Sequence, residues 1–332
     1  MTILLAFVLE SMSESKDKKG MSLKCRVKKN SVLILRNLAK FAHRSYSSLK
    51  YYARKHSAFL FLSPVIILLM LLYLLPLILL LAQSFYTYDP NFFLPKPIFT
   101  LENYRIVLSP PYSKAITLTL WISATTTILT VILSYPLSFY LVRSKTGLAK
   151  KFVMGFLIAS FFMQLLIRIY SFYHVFGQEG VLNQTLTFFG LPTQDWLGGP
   201  WPIAVSMVHQ SIPIAVLVMM GSIKTINPEV EDAAKILGAN GVETFFKVTL
   251  PLSLPGIIAA SLLSFTGSAS AYVTPLVLSQ GKVLMMANYI YNRFIDVVNY
   301  PFAAAMSVVL LILSLSVSYG ITGVLNRWVK VK

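Results

Sequence analysis

Six apolar runs dominate the chain, at about 57–84, 116–142, 152–176, 201–222, 255–278 and 300–325. Crossing about 30 Å of hydrocarbon at about 1.5 Å per residue takes roughly 20 residues, and each run is long enough. The pattern predicts an all-α integral membrane protein with six transmembrane helices. The fifth run is the least apolar, because "SFTGSASAYVTP" fills it with small and hydroxyl residues.

Between the fourth and fifth runs the pattern changes. The stretch "PEVEDAAKILGANGVETFFKVTLPLSLPG", residues 228–256, is amphipathic and carries both signs of charge. Asn227 suits an N-cap, with Pro228 at the first helical position where a missing N–H is harmless. Glu229, Glu231 and Asp232 fall near the positive end of that helix. Gly238 suits its C-cap, and Asn240 followed three residues later by Glu243 predicts a capping box opening a second helix. Pro251 is expected to end the second helix at about Leu250. Val230, Ala233, Ala234 and Leu237 share one face of the first helix. That face either packs on the chain's own helix ends or serves as a knob for a partner, and the pattern leaves both open.

Composition agrees with the membrane reading. The 332 residues are 56% hydrophobic and 12% charged, against about 25% charged in a typical soluble domain. The formal charge is +17, and residues 1–56 supply +10 of it, with 13 Lys or Arg against Glu10, Glu14 and Asp17. This basic tail runs up to the first apolar run, where a cytoplasmic location and anionic lipid both favour it. It carries no nucleic-acid motif, so no nucleic-acid partner is expected. Within it, 31–55 suits a basic interfacial helix, with a disordered tail as the alternative. The opening "MTILLAFVLE" does not have the form of a cleaved signal peptide.

Loop charge sets the expected topology. Residues 143–151 carry Arg143, Lys145, Lys150 and Lys151 and no acid, whereas 177–200 carries Glu179 and Asp195 and no base. Arg327, Lys330 and Lys332 mark the C-terminal end. The positive-inside rule then places the 1–56 tail, the 326–332 end, 143–151 and 223–254 in the cytoplasm, flanking a 57–325 membrane domain.

Catalytic chemistry is sparse. Cys25 is the only cysteine, so neither an intrachain disulfide nor a cysteine metal cluster is possible. The four His (43, 56, 174 and 209) are dispersed, and no apolar run holds a carboxylate pair, so no metal or cofactor is expected. Gly281-Lys282 is similar to the end of a phosphate-binding loop, but Val283 and Leu276 stand where a hydroxyl and the first glycine are needed.

Arg168 is the one charged residue well inside a run. Helical rise puts it in the outer third of the bilayer, which suits a snorkelling anchor beside Tyr170 and Tyr173; a gate facing the pathway is the sharper alternative. The hydroxyls of the fifth run permit close helix packing or line a polar path. His209, Gln210 and Ser211 make a second polar notch. Candidate pathway residues are therefore Arg168, Tyr170, His209, Gln210, Ser268, Ser270, Tyr272 and Thr274.

Asp232-Ala233-Ala234, three residues, Gly238, nine residues and then Val248-x-Leu250-Pro251 resembles the signature loop of binding-protein-dependent ABC importer permeases, where Glu-Ala-Ala and Ile-x-Leu-Pro are usual. The resemblance implies a type I importer permease fold. It also implies a cytoplasmic coupling helix that docks in a cleft of the ATP-binding subunit, formed here by Glu231, Asp232, Ala233, Ala234, Leu237, Gly238, Val248, Leu250 and Pro251. The partners implied are a dimer of ATP-binding subunits, a second permease subunit and an external solute-binding protein, at a bacterial inner membrane.

"RIYSFYHVFGQEGVLNQTL", "SFTGSASAYVTPLVLSQGKVLMMANYIYNRF" and "PFAAAMSVVLL" resemble the polyamine branch of that family, which implies spermidine or putrescine. Arg168-Ile169-Tyr170-Ser171-Phe172 and Tyr300 depart from its Arg-Thr-Tyr-Ala-Trp and its Trp, and leave opines, other small amines and thiamine-like cations open. An ion-coupled secondary transporter calls for an intramembrane acid or an inverted repeat, and neither is visible. A membrane-anchored lipid- or nucleic-acid-binding protein would place its function in residues 1–50.

Overall fold

The computed structural model describes residues 62–90, 94–144 and 147–330. The basic tail, the 31–55 stretch expected to be interfacial, Cys25 and Lys145 lie outside the described residues. The chain divides into two compact units, Met1–Pro76 and Leu77–Lys332.

In the first unit the described residues belong to helix α1 (Leu62–Gln83). Leu68, Leu71, Leu72 and Tyr73 are all exposed, so its surface is apolar all round. Such a helix belongs in hydrocarbon.

The second unit begins at Leu77 within α1 and continues into an antiparallel hairpin of β1 (Tyr86–Asp89) and β2 (Leu94–Phe99), in which Thr87 faces Lys96 and Asp89 faces Leu94. Lys96 Nζ closes it on Asp89 at 2.6 Å. Pro95 and Pro97 cannot donate to a ladder, which only an edge strand tolerates. This hairpin is the one departure from an all-helical chain among the described residues, and it falls in a segment the hydropathy pattern marks only as a loop. Helices follow as α2 (Glu102–Val107), α3 (Tyr112–Arg143), α4 (Leu148–Phe162), α5 (Leu165–Phe176), α6 (Val181–Phe188) and α7 (Pro200–Lys224). Then come α8 (Pro228–Ile236), α9 (Gly241–Leu252), α10 (Leu254–Ala269), α11 (Val273–Leu278), α12 (Met286–Tyr291) and α13 (Tyr300–Lys330).

Helices α3, α7 and α10 pack on one another as the centre of this unit, and α13 lies against α10 and α12. Close approach is possible because the contacts are small. Thr119, Ser123, Thr126, Thr130, Ser134 and Ser138 form a buried stripe along α3. At Gly256 the backbones of α10 and α7 nearly touch, since a Cβ there would lie 2.5 Å from Ser222 Cβ. Apolar cores sit toward either end of α3, one built on Tyr135, Met219, Ile223 and Leu254, the other on Ile122, Ile169, Met207 and Met285.

Four helices, α1, α3, α7 and α13, are long and apolar enough to cross a membrane. The number reaches six if two bent pairs each count as one span: Leu148–Phe162 with Leu165–Phe188, bent by 106°, and α9 with α10, bent by 65°. Two of the expected runs are not continuous helices, and only the first of these breaks coincides with a bent pair. The 152–176 run breaks at Met163 and Gln164, whose ψ of 125° and 142° are extended. The 255–278 run breaks between Ala269 and Val273, because Pro275 has no N–H for the Ala271 carbonyl and fits only the first turn of a new helix. Pro251 also behaves differently from expectation. Helix α9 passes through it, ending at Leu252, after a π-helical turn over Phe245–Thr249. The wider turn changes the register just where an α-helix would press the Lys247 carbonyl on the proline ring.

Candidate coupling loop and transport cavity

The 227–253 segment is built from local caps. Asn227 Oδ1 accepts from the Glu229 N–H at 3.1 Å, with Pro228 first in α8. At the other end Gly238 takes φ +92°, its N–H donates to the Lys235 carbonyl at 2.9 Å, and the Ala239 N–H donates to Ala234 at 3.0 Å. This pair of bonds closes a helix through a left-handed residue, a conformation glycine adopts without strain. The capping box is present: Asn240 Oδ1 accepts from the Glu243 N–H at 2.8 Å, and Glu243 Oε2 accepts from the Asn240 N–H at 3.1 Å. The Asn240 N–H first, and Lys247 after it, hold the Glu243 carboxyl below the ordinary glutamate range. Asp232, 2.9 Å from Lys235, raises that ammonium above the ordinary lysine value.

The two sides of α8 differ. Val230, Ala233, Ile236 and Leu237 are exposed, Leu237 to 88%, and Val242 and Phe246 of α9 are exposed with them. Asp232 and Gly238 are exposed too, Ala234, Val248, Leu250 and Pro251 half-buried. The apolar face therefore does not pack on the chain's own helix ends.

Glu231 points the other way. Its Oε1 accepts from Arg143 Nη2 at 2.7 Å, Arg143 Nε at 3.2 Å and Thr249 Oγ1 at 3.1 Å, and the same Nη2 reaches the Ile226 carbonyl at 3.1 Å. The two charged side chains are 18% and 12% exposed. Removing one partner of so enclosed a pair costs about 3–5 kcal/mol. Nearby, Tyr135 and Ser253 share a 2.7 Å hydrogen bond, and Tyr135 and Phe139 meet the Phe245 ring edge-on. Sequence reasoning gave Arg143 a part in topology only and passed over Thr249. A single sequence carries no signal pairing them with Glu231.

A cavity of about 300 Å³ opens among α4, α5, α7 and α10, lined by Arg168, Gln210, Ser211, Gly267 and Ser268 with Phe161, Met207, Ile214, Leu263 and Ala271. Arg168 is 5% exposed, so it does not snorkel. The helix is interrupted at Met163 and Gln164, between the inner end of the run and Arg168, so a depth counted by continuous helical rise does not apply. Arg168 Nη2 donates to the carbonyls of Ser160 and Met163, and its Nε has no partner among the described residues. Of the candidate pathway residues, Arg168, Gln210 and Ser268 meet here. The others do not line the cavity. His209 lies edge-on to Phe172, its ring centroid 5.3 Å away, and Tyr170 is exposed. Ser270 donates to the Thr266 carbonyl at 2.9 Å, Tyr272 stacks on Tyr291 at 4.4 Å, and Thr274 is buried.

Bent spans round a polar cavity, with a capped helix pair presenting apolar side chains outward, define a multi-pass helical membrane transport subunit. The chain belongs to the family of binding-protein-dependent transport system inner membrane components, the permeases of ABC importers, whose model matches residues 44–331. The spermidine/putrescine transport system permease protein PotB of Haemophilus influenzae is 32% identical over 265 residues, which is 78% of this chain and 92% of that protein. PotB of Escherichia coli K12 is 29% identical over 270 residues, 80% and 97% of the two chains. A crystal structure of a bacterial ABC transporter that imports the acidic polysaccharide alginate shares the fold, with a TM-score of 0.70 at 18% identity, covering 84% of this chain and 98% of that one.

Proposed function

We propose that this permease imports a polyamine of the spermidine or putrescine class by alternating access, as one of two permease subunits, and that α8 docks on an ATP-hydrolysing subunit. The exposed apolar face of α8 carries the docking reading. Ile236 and Leu237, 85% and 88% exposed, sit at the end of a helix fixed by Asn227 on one side and Gly238 on the other. A rigid helix can transmit motion where a loop would absorb it. Loop charge supports a cytoplasmic location for this segment and for both termini.

The substrate class follows the two polyamine permeases quoted above. The cavity fits a permease whose selectivity is supplied by an external binding protein, since its lining holds Arg168 and no carboxylate to retain a cation. The test is uptake of labelled spermidine and putrescine by cells expressing the complete operon, with unlabelled opines and thiamine as competitors. Polyamine uptake resistant to those competitors supports the assignment. Absence of polyamine uptake, with an opine or thiamine transported instead, contradicts it.

A further inference from the structure

We propose that Arg143 and Glu231 form the noncovalent link that carries movement of α8 into α3, so that Glu231 acts as a positioning residue for coupling. The inference rests on the docking reading of α8 given above.

The covalent path explains why such a link is needed. Helix α8 is joined to α7 through residues 225–227 and to α10 through α9, and it has no chain connection near α3. Arg143 is the last residue of α3, a 32-residue helix, and Glu231 lies 88 residues further along the chain. A cation at the C-terminal end of a helix also suits its dipole.

The contacts converge on one oxygen. Three donors from two elements, Arg143 Nη2, Arg143 Nε and Thr249 Oγ1, reach Glu231 Oε1. Arg143 Nη2 also holds the Ile226 carbonyl, one residue before the Asn227 cap. One guanidinium thus fixes both the body of α8 and the hinge on which it would otherwise swivel. The other ion pairs of the segment, Asp232 with Lys235 and Glu243 with Lys247, each lie within a single helix and in solvent. They join nothing to anything else. With the link intact, a turn of α8 moves the inner end of α3 and, through its buried hydroxyl stripe, α7 and α10. Without it, α8 is joined to α3 only indirectly, through α9 and the Phe245 ring against Tyr135 and Phe139, and part of the ATP-driven movement is dissipated.

The test is the number of substrate molecules moved per ATP hydrolysed by the complete importer in liposomes. Glu231→Gln is expected to lower that ratio about 10-fold, within the ordinary range of coupling between sites, while the ATP-hydrolysing subunit still co-purifies. The exchanged pair Arg143→Glu with Glu231→Arg is expected to recover part of the loss. A ratio unchanged by Glu231→Gln overturns the link, and so does an exchanged pair no better than either single variant. If Glu231→Gln does not accumulate, Arg143→Lys decides, because it keeps a cation at the end of α3 but loses the fork that holds both Glu231 Oε1 and the Ile226 carbonyl. A ratio about 3-fold lower supports the link and an unchanged ratio overturns it. Leu237→Glu tests the docking reading separately. If it spares co-purification and transport, that reading fails; if it abolishes both while the ratio in Glu231→Gln stays normal, only the link fails.

Discussion

Arg168 donates through Nη2 to the carbonyl of Ser160, eight residues earlier and on the other side of the break between α4 and α5. The last turn of α4 leaves carbonyls without helical partners, and the buried Arg168 guanidinium supplies a donor to two of them. One side chain thereby stabilises the bend and lines the cavity.

Replacing Arg168 should therefore weaken the bend. Arg168→Leu removes the guanidinium donor shared by the Ser160 and Met163 carbonyls and leaves Ser160 with the Met163 N–H alone; losing hydrogen bonds from a charged donor costs about 1–3 kcal/mol. The thermal unfolding midpoint of the purified permease in detergent should fall. Arg168→Lys, which keeps one charged donor without the fork, should fall between the two.

This bend is also the feature least legible in the sequence. Ser160 to Leu165 contains neither Pro nor Gly, so local propensity favours one continuous helix. The caps of α8 and α9 are the opposite case, because Asn227, Pro228, Gly238, Asn240 and Glu243 act on neighbours two to four residues away. Glu231 shows the limit of such reasoning. Its place within the loop pattern suggested an outward role, yet its carboxylate turns inward to a residue 88 positions away. The same applies to the α3 hydroxyl stripe, whose burial depends on α7 and α10.

Two glycines of α10 should respond oppositely to a methyl group. Gly256→Ala would place a Cβ 2.5 Å from Ser222 Cβ, forcing α10 and α7 apart. Overpacking of this kind costs about 1–3 kcal/mol. Gly267 has nothing within 4 Å of its position, so Gly267→Ala should be neutral or raise stability by up to about 1 kcal/mol. Thermal unfolding of both variants compares them directly.

The start of α9 should loosen in acid. The Glu243 carboxyl is held below its ordinary range, chiefly by the Asn240 N–H. A group lowered by folding stabilises the fold above its unfolded pKa and loses that contribution as pH falls through the folded value. Hydrogen-exchange protection of the 240–244 amides should decrease on acidification below the ordinary glutamate range. In Glu243→Gln, which keeps the box and cannot titrate, that decrease should vanish. Equal pH dependence in both proteins would contradict this assignment.

If α8 docks as proposed, ATP-driven movement enters this chain at the apolar end of that helix. Polyamine uptake and co-purification of the ATP-hydrolysing subunit, compared between wild type and Leu237→Glu at equal membrane abundance, test it most directly. Leu237 makes little contact within the chain, so the substitution should leave the fold intact. Leu237→Glu is expected to lose uptake together with the ATP-hydrolysing subunit. Uptake and co-purification at the wild-type level would contradict it.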